Sequence, residues 1–332
     1  MANRPGVSVI IPIAPGGECE QSLASVRSQN YDKKKIQLLV GIGRHRSIQR
    51  NTALSKAKGD IIWFMDNDVE IRDPEYLNKS VAHFENERVA SVGGPSLTPD
   101  SDSFLQRTIG QVLGSFFATQ AARSRYRARG KVRETDEKEL ILCSQTFRAS
   151  AIAGSCFDER LHSGNEENEL MNRLKQAGHT MVYDPDLPVW RSQRGTLLQF
   201  IQQMGKYGKS RMEHFLIKPS AFETMFMVPL FFLTYLAALA VAGGGMLLGL
   251  LPIPPLYFGI MCAPLALYSL LNIGSSLQAA VRGRSFAMFF ASLMLFPMVH
   301  IFYGLGNLVG IKHRITGDTR DIPEVVVQEI KL

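Results

Sequence analysis

The segment Gln49–Glu70, QRNTALSKAKGDIIWFMDNDVE, decides the fold of this chain. Apolar residues at helical spacing lead into a Lys-Gly-Asp turn, a short apolar run and the triplet Asp66-Asn67-Asp68. The pattern predicts a helix that stops at Gly59 and a buried strand over Ile61–Met65. A strand that follows a helix indicates a parallel α/β sheet, in which ligands bind beyond the carboxyl ends of the strands.

Asp66 and Asp68 are predicted to lie at that edge of the sheet. Carboxylate oxygens, together with substrate phosphates, are the ligands that Mg²⁺ or Mn²⁺ prefers, so the two residues form a candidate cation site. An isolated Asp-x-Asp is also common in polar turns and helix caps. Asp66 and Asp68 come directly after a buried strand, and this position favours a metal site over a polar turn.

The composition restricts the possible partners. The chain has 332 residues, which is long enough for about two domains, and its net charge is +7. Basic residues are scattered or flank apolar segments. The sequence therefore predicts that they contact a membrane surface and phosphate ligands, and it predicts no binding of nucleic acid. Four cysteines, Cys19, Cys143, Cys156 and Cys262, form no CxxC or Cys/His motif, which argues against a disulfide framework or a zinc site.

The N-terminal part is predicted to be a β-α-β-α-β unit. Strands are expected over Val7–Ile13 and Ile36–Ile42, with a helix over Gln21–Ser28 between them. The first apolar run is too short for a signal peptide, so it is interpreted as a strand of a cytoplasmic domain. This order is typical of a nucleotide-binding α/β half, although Gly41-x-Gly43 lacks the third glycine of a dinucleotide fingerprint.

Residues 73–183 are predicted to continue the α/β pattern, with a charged loop over 124–138. The expected elements are helices over Asp73–Asn86 and Phe104–Ala122, strands over Val89–Val92, Leu140–Cys143 and Thr180–Tyr183, and a helix from Ser163 or Asn165 to Ala177. The apolar stripe of the Phe104 helix favours core packing over lipid contact. The acidic start of the last helix has an alternative interpretation, a solvated and well-capped first turn.

The C-terminal part predicts an integral membrane protein. No charged residue occurs over Thr224–Val281 or over Ser285–Ile311, which is enough for about three spans. Basic residues before the first and after the second span place the N-terminal domain in the cytoplasm. A third crossing is favoured, although it leaves Lys312, Arg314 and Arg320 outside; a re-entrant or in-plane helix at Pro297 is the alternative. His300 is either a functional intramembrane group or a neutral helix contact.

Several motifs occur in a characteristic order: VSVIIPI, Arg50-Asn51, KGDIIWFMDND, FDERLHSGNEENELMNRLKQAG and MVYDPD. With them the chain resembles family 2 glycosyltransferases, particularly membrane-bound bacterial members that build exopolysaccharide or lipid-linked saccharides. The resemblance covers about residues 5–215 and the membrane segments. It implies an α/β domain of the GT-A fold, a Rossmann-like nucleotide-sugar-binding domain, followed by about three transmembrane helices.

The resemblance also implies roles for individual residues. Asp68 is expected to bind the metal directly, and Asp66 to bind the metal or the donor's ribose or diphosphate. Glu167 occupies the position of the general base, with Glu166 beside it. The other expected donor-binding residues are Pro12, Gly43, Arg44, Arg50, Asn51, Lys206, Tyr207, Lys209 and Arg211.

Three departures from the family pattern concern the donor site and the base. Ala14-Pro15 replaces the usual Asn-Glu after the first strand, and the base is Glu rather than the commoner Asp. The Asp-Gly-Ser that usually follows the second strand, and whose Asp holds the nucleotide base, is absent; Gly43-Arg44 starts that segment instead. The nucleotide therefore stays open, with a UDP-sugar as the first expectation.

The expected reaction is an in-line displacement with inversion at the anomeric carbon. A cation would neutralise the leaving diphosphate, and Glu167 would take the proton of the acceptor hydroxyl. Because two adjacent negative charges repel each other, one of the two residues Glu166 and Glu167 is expected to have a raised proton affinity.

The expected acceptor is a lipid-linked saccharide or a polyprenyl phosphate, in contact with membrane lipids. The expected organisation is a cytoplasmic GT-A domain (1–215), a membrane domain (216–314, with spans near 224–251, 255–281 and 285–311) and a tail (315–332), in a multi-pass protein of the inner (plasma) membrane. One alternative is a non-catalytic scaffold that retains the fold. Another is a processive synthase, but the Gln-x-x-Arg-Trp motif typical of such enzymes is absent from the sequence. A transporter is disfavoured by the scarcity of polar groups in the spans.

Overall fold

The computed structural model describes residues 4–154, 157–161, 164–219, 225–316 and 324–332. The chain divides into two compact units. The first contains Met1–Asp102, Ala121–Gln193 and Thr319–Leu332, and the second contains Ser103–Gln120 and Arg194–Asp318. The predictions for Cys156, Ser163 and Arg320 lie outside the described residues.

The N-terminal elements agree closely with the predicted β-α-β-α-β order. They are β1 (Val7–Ile13), α1 (Glu20–Arg27), β2 (Ile36–Ile42), α2 (Arg46–Leu54), β3 (Ile61–Met65), α3 (Tyr76–Ala82), β4 (Val89–Gly93) and β5 (Ser96–Leu97). Helix α2 begins three residues before Gln49 because the ring of His45 caps it: Nδ1 accepts a hydrogen bond from the backbone N–H of Ile48 at 3.4 Å. Arg50 is therefore the fifth residue of α2, and the helix ends at Leu54, before the stop predicted at Gly59.

The middle of the chain contains shorter elements than predicted. They are α4 (Phe104–Leu113), α5 (Phe116–Thr119), β6 (Arg133–Thr135), β7 (Ser144–Arg148), α6 (Ala149–Ile152), α7 (Glu166–Gln176), β8 (Thr180–Tyr183) and β9 (Val189–Trp190). The single helix predicted over Phe104–Ala122 is wrong. Gly114 ends α4, and the hydroxyl of Ser115 caps α5 by accepting from the N–H of Phe117 at 3.3 Å.

The C-terminal elements are α8 (Leu197–Ile217), α9 (Val228–Leu247), α10 (Pro255–Arg282), α11 (Ala287–Thr316) and β10 (Val326–Ile330). Three helical segments are long and apolar enough to cross a membrane: Met225–Leu247, Pro255–Arg282 and Ala287–His313. Pro264 and Pro297 lie inside their helices and do not end them. The predicted arrangement, an α/β domain followed by about three such helices, is confirmed.

The first unit is built on a mixed sheet with the strand order β10-β2-β1-β3-β7-β4-β8-β6. The pairs β1–β2, β1–β3 and β4–β8 are parallel, as expected for an α/β fold. Strands β7, β6 and β10 run antiparallel to their neighbours, so the purely parallel sheet that the sequence indicates is only its centre. Strands β5 and β9 form a separate parallel pair.

The strand predicted at Leu140–Cys143 is wrong, because the strand is β7, over Ser144–Arg148. Its side chains are mostly polar yet buried, and hydrogen bonds satisfy them. The indole of Trp63 donates to the Ser144 hydroxyl at 3.0 Å, and the hydroxyls of Ser80 and Thr146 lie 2.6 Å apart. Hydrophobic patterning cannot detect a strand whose burial is stabilised by polar pairs.

Apolar residues cover both faces of this sheet. Alternate residues of β1 belong to opposite cores: Val9 and Ile11 pack on one face, and Ile10 packs on the other with Phe64 of β3. A strand buried on both faces has a nearly continuous apolar sequence, which explains why β1 and β3 are recognisable from sequence. The carboxyl ends of these strands carry the candidate site.

Strand β10 is absent from the sequence prediction, which leaves residues 315–332 as a tail. It pairs antiparallel with β2, from Val326 opposite Ile42 to Ile330 opposite Leu38. The pairing covers the free edge of β2, where unpaired backbone groups would otherwise meet solvent. The chain thus returns to the first unit after its apolar helices.

Helices α8 and α11 pack closely within the second unit. A Cβ atom on Gly208 would lie 2.0 Å from the carbonyl oxygen of Tyr303, and one on Gly306 would lie 2.1 Å from that of Gly205. Only glycine permits such an approach of two helix backbones. Of the predicted stripe on α4, Ile109, Val112 and Leu113 are buried, whereas the later Phe116 is exposed.

His300 holds α5 to the apolar helices of this unit. One ring nitrogen lies 2.8 Å from the Tyr268 hydroxyl, and the other lies 3.0 Å from the carbonyl oxygen of Phe117. The ring also packs edge-on against Phe117. Because both nitrogens are engaged, the geometry favours the structural interpretation of this histidine over a functional one.

Candidate functional site

Backbone and side-chain hydrogen bonds fix the segment that follows β3. The N–H of Asp66 donates to the carbonyl of Cys143 at 2.8 Å, and the carbonyl of Asp66 accepts from the hydroxyl of Ser22 at 2.7 Å. The side-chain amide of Asn67 donates to the carbonyl of Glu18 at 2.7 Å. These contacts hold Asp66 and Asp68 in place at the carboxyl end of the strand.

A chain of alternating charges connects this segment to α7. Arg50 lies 2.5 Å from a carboxylate oxygen of Glu166 and 3.4 Å from one of Asp66. Arg191 lies 3.1 Å from the other oxygen of Asp66 and 2.8 Å from Asp68. The exposed fraction of the side chains rises outwards, from 4% for Glu166 and Arg50, through 11% for Asp66 and 21% for Arg191, to 47% for Asp68. The structure therefore brings the two predicted acidic motifs into one network.

Arg191 reaches both aspartates because the backbone beside it is fixed. Trp190 and Glu70 exchange backbone hydrogen bonds of 2.8 and 2.9 Å, and the N–H of Arg191 donates to the carbonyl of Leu97 at 2.9 Å. The guanidinium of Arg72 lies 4.4 Å from the centre of the Trp190 ring, a cation–π contact that covers the indole. The end of β9 thus lies alongside the segment after β3.

The start of α7 has an unusual backbone conformation. Asn165 has φ 74°, in the left-handed region, and the preceding Gly164 has φ 125°. Asparagine is among the few residues besides glycine that tolerate this region, and Asn165 stands where the resembling family usually has glycine. Asn168 supports the turn by donating to the side chain of Asn165 and accepting from Arg125 at 2.7 Å. The glutamates of the first turn, including Glu167, follow this bend.

Glu167 differs electrostatically from the other acidic residues of the site. Burial raises the pKa of its carboxyl group, and the negative charge of Glu166 raises it further. The positive charges of Arg125 and Arg50 oppose this effect without cancelling it. One member of the Glu166–Glu167 pair is expected from the sequence to have a raised proton affinity. The surroundings of Glu167 agree with this expectation, and burial is the larger cause.

Asn51, a predicted donor-binding residue, holds the segment before α7. Its side-chain oxygen accepts from the N–H of Phe157 at 2.9 Å, and its amide group donates to the Phe157 carbonyl at 3.0 Å and to Glu159 at 2.8 Å. The side chain therefore joins α2 to the segment that leads into the acidic motif. A direct contact with the donor stays a prediction.

The predicted residues at the ends of β1 and β2 have different surroundings. Pro12 is buried in β1, beyond the last pair with β3 at Ile10, so its missing N–H costs no hydrogen bond there. A Cβ atom on Gly43 would lie 2.9 Å from a methyl group of Val325. The C-terminal segment thus borders the position where the resembling family holds the nucleotide base, and Arg44 is exposed beside it.

The remaining predicted donor contacts lie on α8, in the second unit. Lys206 and Tyr207 are exposed, and the Tyr207 hydroxyl accepts from the amide of Gln203 at 3.0 Å. Lys209 lies 3.5 Å from Glu213, and Arg211 is half-buried. Their roles in donor binding stay predictions.

Two arginines of the site are not among the residues predicted from sequence. Arg125 lies in a segment expected to be a charged loop, and Arg191 begins the basic segment before α8. Arg125 also donates to the carbonyls of Lys138, at 2.8 Å, and of Glu137. Their significance depends on contacts distant in sequence, which no local pattern encodes.

The residues at the end of β3 fit a divalent cation in their chemistry. Asp66 and Asp68 supply carboxylate oxygens at the edge of the sheet, and Asp68 is half exposed. Among the described residues, no cluster of three or more His, Cys, Asp or Glu side chains suits a metal ion. A cation bound here would complete its coordination with phosphate oxygens and water, as Mg²⁺ commonly does.

Comparison with known proteins agrees with this geometry. Residues 18–152 match the family model described as glycosyl transferase family 2. Among solved structures, the chain is similar to the mannosyltransferase PcManGT from Pyrobaculum calidifontis, in complex with GDP-Man and Mn²⁺, with a TM-score of 0.63 and 15% identity over 93% of this chain and 88% of that one. At this identity the similarity establishes the fold.

Two further structures show weaker similarity. The crystal structure of S. aureus TarS gives a TM-score of 0.44 at 12% identity, over 66% of this chain and 41% of that chain. TarS residues 1–349 in complex with UDP give 0.41 at 14% identity, over 96% and 94%. Among curated proteins, none matches this sequence.

The family-model match and the fold together indicate a glycosyltransferase with the GT-A fold. The match over residues 18–152 identifies this segment more narrowly as a glycosyl transferase family 2 domain, as the order of the sequence motifs predicts.

Proposed function

We propose that this glycosyltransferase moves a sugar from a nucleoside-diphosphate donor to a lipid-linked acceptor, with inversion at the anomeric carbon. The observation that carries the proposal is the ion-pair chain that joins Asp68 to Glu166 through Arg50 and Arg191. It brings a cation-binding edge and the acidic turn beside Glu167 into one site. Glycosyl transfer needs both parts of the site: a cation to stabilise the leaving diphosphate and a carboxylate to activate the nucleophile.

Asp66 and Asp68 would hold Mg²⁺ or Mn²⁺ against the donor diphosphate. When bound, such a cation neutralises the charge that develops on the leaving group. The Mn²⁺ and GDP-Man in the Pyrobaculum mannosyltransferase support this assignment. The protein's own contribution is to fix both carboxylates at the end of β3, with Asp66 restrained by its contact with Arg50.

Glu167 is the proposed general base. The acceptor hydroxyl oxygen forms the new bond to the anomeric carbon as the bond to the diphosphate oxygen breaks, and the hydroxyl proton passes to Glu167. Its raised pKa supports this role, because a stronger base takes the proton more readily. Glu166 is instead paired with Arg50, which suits a residue that holds the site in shape.

The donor is a nucleoside-diphosphate sugar, with UDP-sugars the first candidates from the sequence. GDP-Man in the Pyrobaculum protein makes GDP-sugars an equal choice for testing. The end of β2 has glycine and arginine where an aspartate usually holds the base. Backbone groups near Gly43 and the exposed Arg44 are the proposed contacts there.

The proposed acceptor is a polyprenyl-linked saccharide or a polyprenyl phosphate. Three helices long and apolar enough to cross a membrane support an acceptor that resides in the lipid. The basic residues of α8 precede the first of these helices along the chain and suit an anionic lipid surface. The proposed location is the inner membrane, with the first unit in the cytoplasm.

The return of the chain to the first unit supports an even number of membrane crossings. The chain leaves that unit after Gln193, and β10, which follows the three apolar helices, is hydrogen-bonded to β2 in the sheet of the first unit. A segment that leaves and returns on one side of a membrane crosses it an even number of times. We therefore propose that α9 and α10 cross as a hairpin and that α11 does not, in place of the crossing favoured from sequence.

The surroundings of α11 support the same arrangement. Its close backbone contacts at Tyr303 and Gly306 are with α8, a helix that contains two lysines and one arginine. His313, near its end, lies 2.7 Å from Glu213 of α8. A helix packed along such a partner is better suited to the membrane surface than to the hydrocarbon interior.

Reporter fusions test this topology. Green fluorescent protein fused after Leu332 should fluoresce, and alkaline phosphatase fused there should be inactive, because the tail lies in the cytoplasm. Alkaline phosphatase inserted in the turn at Gly249–Pro252 should be active. An active phosphatase after Leu332 would mean an odd number of crossings and would contradict the proposal.

Donor turnover by purified protein in detergent tests the function itself. The assay uses Mn²⁺ and a panel of UDP- and GDP-sugars, with and without a lipid extract. We expect turnover of one donor, stimulated by lipid. If no donor is consumed under any condition, the alternative of a non-catalytic scaffold gains support, and the missing nucleotide-site aspartate would explain it.

A further inference from the structure

Arg191 occupies the place where a bound cation would be held. Its Nη1 lies 3.1 Å from Oδ2 of Asp66, and its Nε lies 2.8 Å from Oδ1 of Asp68. The other oxygen of Asp66 is 3.4 Å from Arg50. Both oxygens of Asp66 and one of Asp68 thus face guanidinium nitrogens, and Arg191 bridges the two residues of the Asp-x-Asp motif.

A divalent cation and this guanidinium compete for the same oxygens. Mg²⁺ binds carboxylates directly at about 2.1 Å, which leaves no room for an N–H group on the same lone pair. Two positive groups at such a spacing also repel each other strongly when solvent is partly excluded. Arg191 must therefore withdraw from at least one aspartate before a cation binds both.

The two arginines that contact Asp66 differ in their freedom to move. Arg50 is 4% exposed and is held by the buried Glu166, whereas Arg191 is 21% exposed and its second partner Asp68 lies half in solvent. Although the Asp68 side chain is half exposed, its Oδ1 is shielded from solvent beside Arg191 and accepts no hydrogen bond from the described part of the chain. The outer contact is thus electrostatic and poorly aligned, which makes it the easier one to exchange.

We propose that Arg191 is a positioning residue that holds Asp66 and Asp68 together before the cation binds and is displaced when it does. The exchange replaces one positive group by another, so the aspartates are never left without a counter-charge. The released guanidinium then lies at the edge of the site where the donor's diphosphate arrives. This inference rests on the proposed function only for the assignment of a cation to Asp66 and Asp68.

Mn²⁺ binding, measured by the loss of the free-ion electron paramagnetic resonance signal, tests the displacement directly. The titration is made on the full-length protein in detergent, with Mn²⁺ alone and with Mn²⁺ plus UDP or GDP. We expect Arg191→Gln to bind Mn²⁺ about tenfold more tightly than the unaltered protein, because the competing cation is gone. Arg191→Lys keeps the charge but cannot bridge two carboxylates with a planar fork, so its affinity should lie between.

Two controls make the result specific. Arg72→Gln removes a neighbouring arginine that pairs with Glu70 and covers Trp190, and it should leave the Mn²⁺ affinity unchanged. Adding Asp68→Asn to Arg191→Gln should abolish the gain. The thermal unfolding of each variant, followed by tryptophan fluorescence, shows whether it is folded.

The outcomes separate this inference from the proposed function. If folded Arg191→Gln binds Mn²⁺ as well as or more weakly than the unaltered protein, the displacement is refuted, while a cation site at Asp68 stands. If no variant binds Mn²⁺ with or without nucleotide, the displacement and the cation site both fail. Donor turnover in the presence of a chelator would then show whether glycosyl transfer survives without a metal.

Discussion

At the end of β3, Asp66 and Asp68 are both paired with arginine, whereas at the start of α7 Glu166 is paired and Glu167 forms no ion pair among the described residues. The two regions have the same kind of side chain and are joined through Arg50. They differ in how their negative charge is balanced. In the second region, burial and the negative charge of Glu166 raise the pKa of the Glu167 carboxyl group.

This difference assigns separate tasks to the two regions. The aspartates after β3 present carboxylate oxygens beside positive groups, an arrangement that suits a cation and a diphosphate. A buried carboxyl group with an acidic neighbour binds a proton more tightly, which suits it to accept one from an acceptor hydroxyl. Each of the predictions below alters the balance of charge in one region or the connection between them.

Removing the connection should have the largest effect on stability. Arg50→Ala leaves the buried Glu166 and Asp66 without their shared counter-charge, and we expect the free energy of unfolding of the first unit to fall by about 3–5 kcal/mol. Both tryptophans, Trp63 and Trp190, lie in this unit, so their fluorescence during denaturation reports its unfolding.

The matched control is Arg27→Ala, which removes an exposed pair with Glu20. Surface pairs contribute little, so its cost should stay below about 1 kcal/mol. Equal losses in the two variants would show that the buried network does not stabilise the unit.

Within the β3 region, the two aspartates should differ in stability. Asp66→Asn weakens contacts with two arginines in a buried setting and should cost about 2–3 kcal/mol. Asp68→Asn affects one contact of a half-exposed side chain and should cost less than about 1 kcal/mol. Denaturant titration of both variants measures the difference, and the reverse order would contradict the gradient of burial along the network.

The smallest effect is expected in the pH dependence of transfer. A general base acts in its ionised form, so with Glu167 in the proposed role activity should fall as the pH drops through its pKa. Arg125 lowers that pKa, so Arg125→Gln should move the acidic limb of the rate profile to higher pH. The exposed Arg127 provides the matched variant, Arg127→Gln, whose profile should not shift. A shift towards lower pH in Arg125→Gln would contradict the assignment of Glu167.

The central fold could be predicted because its information is local. Strands β1 and β3 are buried on both faces and have continuous apolar sequences, and the predicted bounds of β1, β2 and β3 match the structure. The triplet Asp66-Asn67-Asp68 follows β3 directly, so its placement at the sheet edge also follows from sequence.

Other features depend on partners distant in sequence. Strand β7 is stabilised by polar pairs with Ser80 and Trp63, which hydrophobic patterning does not register. Strand β10 follows the apolar helices and is identifiable only by its pairing with β2. Arg191 reaches Asp66 only because the backbone beside it is bound to Glu70 and Leu97. The sequence therefore predicts the acidic residues and Arg50, but neither Arg125 and Arg191 nor the network that joins these residues.

The most direct test separates donor binding from transfer in two variants, Asp68→Asn and Glu167→Gln. Binding of the turned-over donor is measured by calorimetry with Mn²⁺, and transfer to the lipid acceptor is measured in parallel. The account predicts that Asp68→Asn loses Mn²⁺-dependent binding, whereas Glu167→Gln binds the donor normally and transfers it about 10² to 10⁴ times more slowly. Near-normal transfer by Glu167→Gln, or unchanged Mn²⁺-dependent binding in Asp68→Asn, would contradict the division of tasks between the two regions.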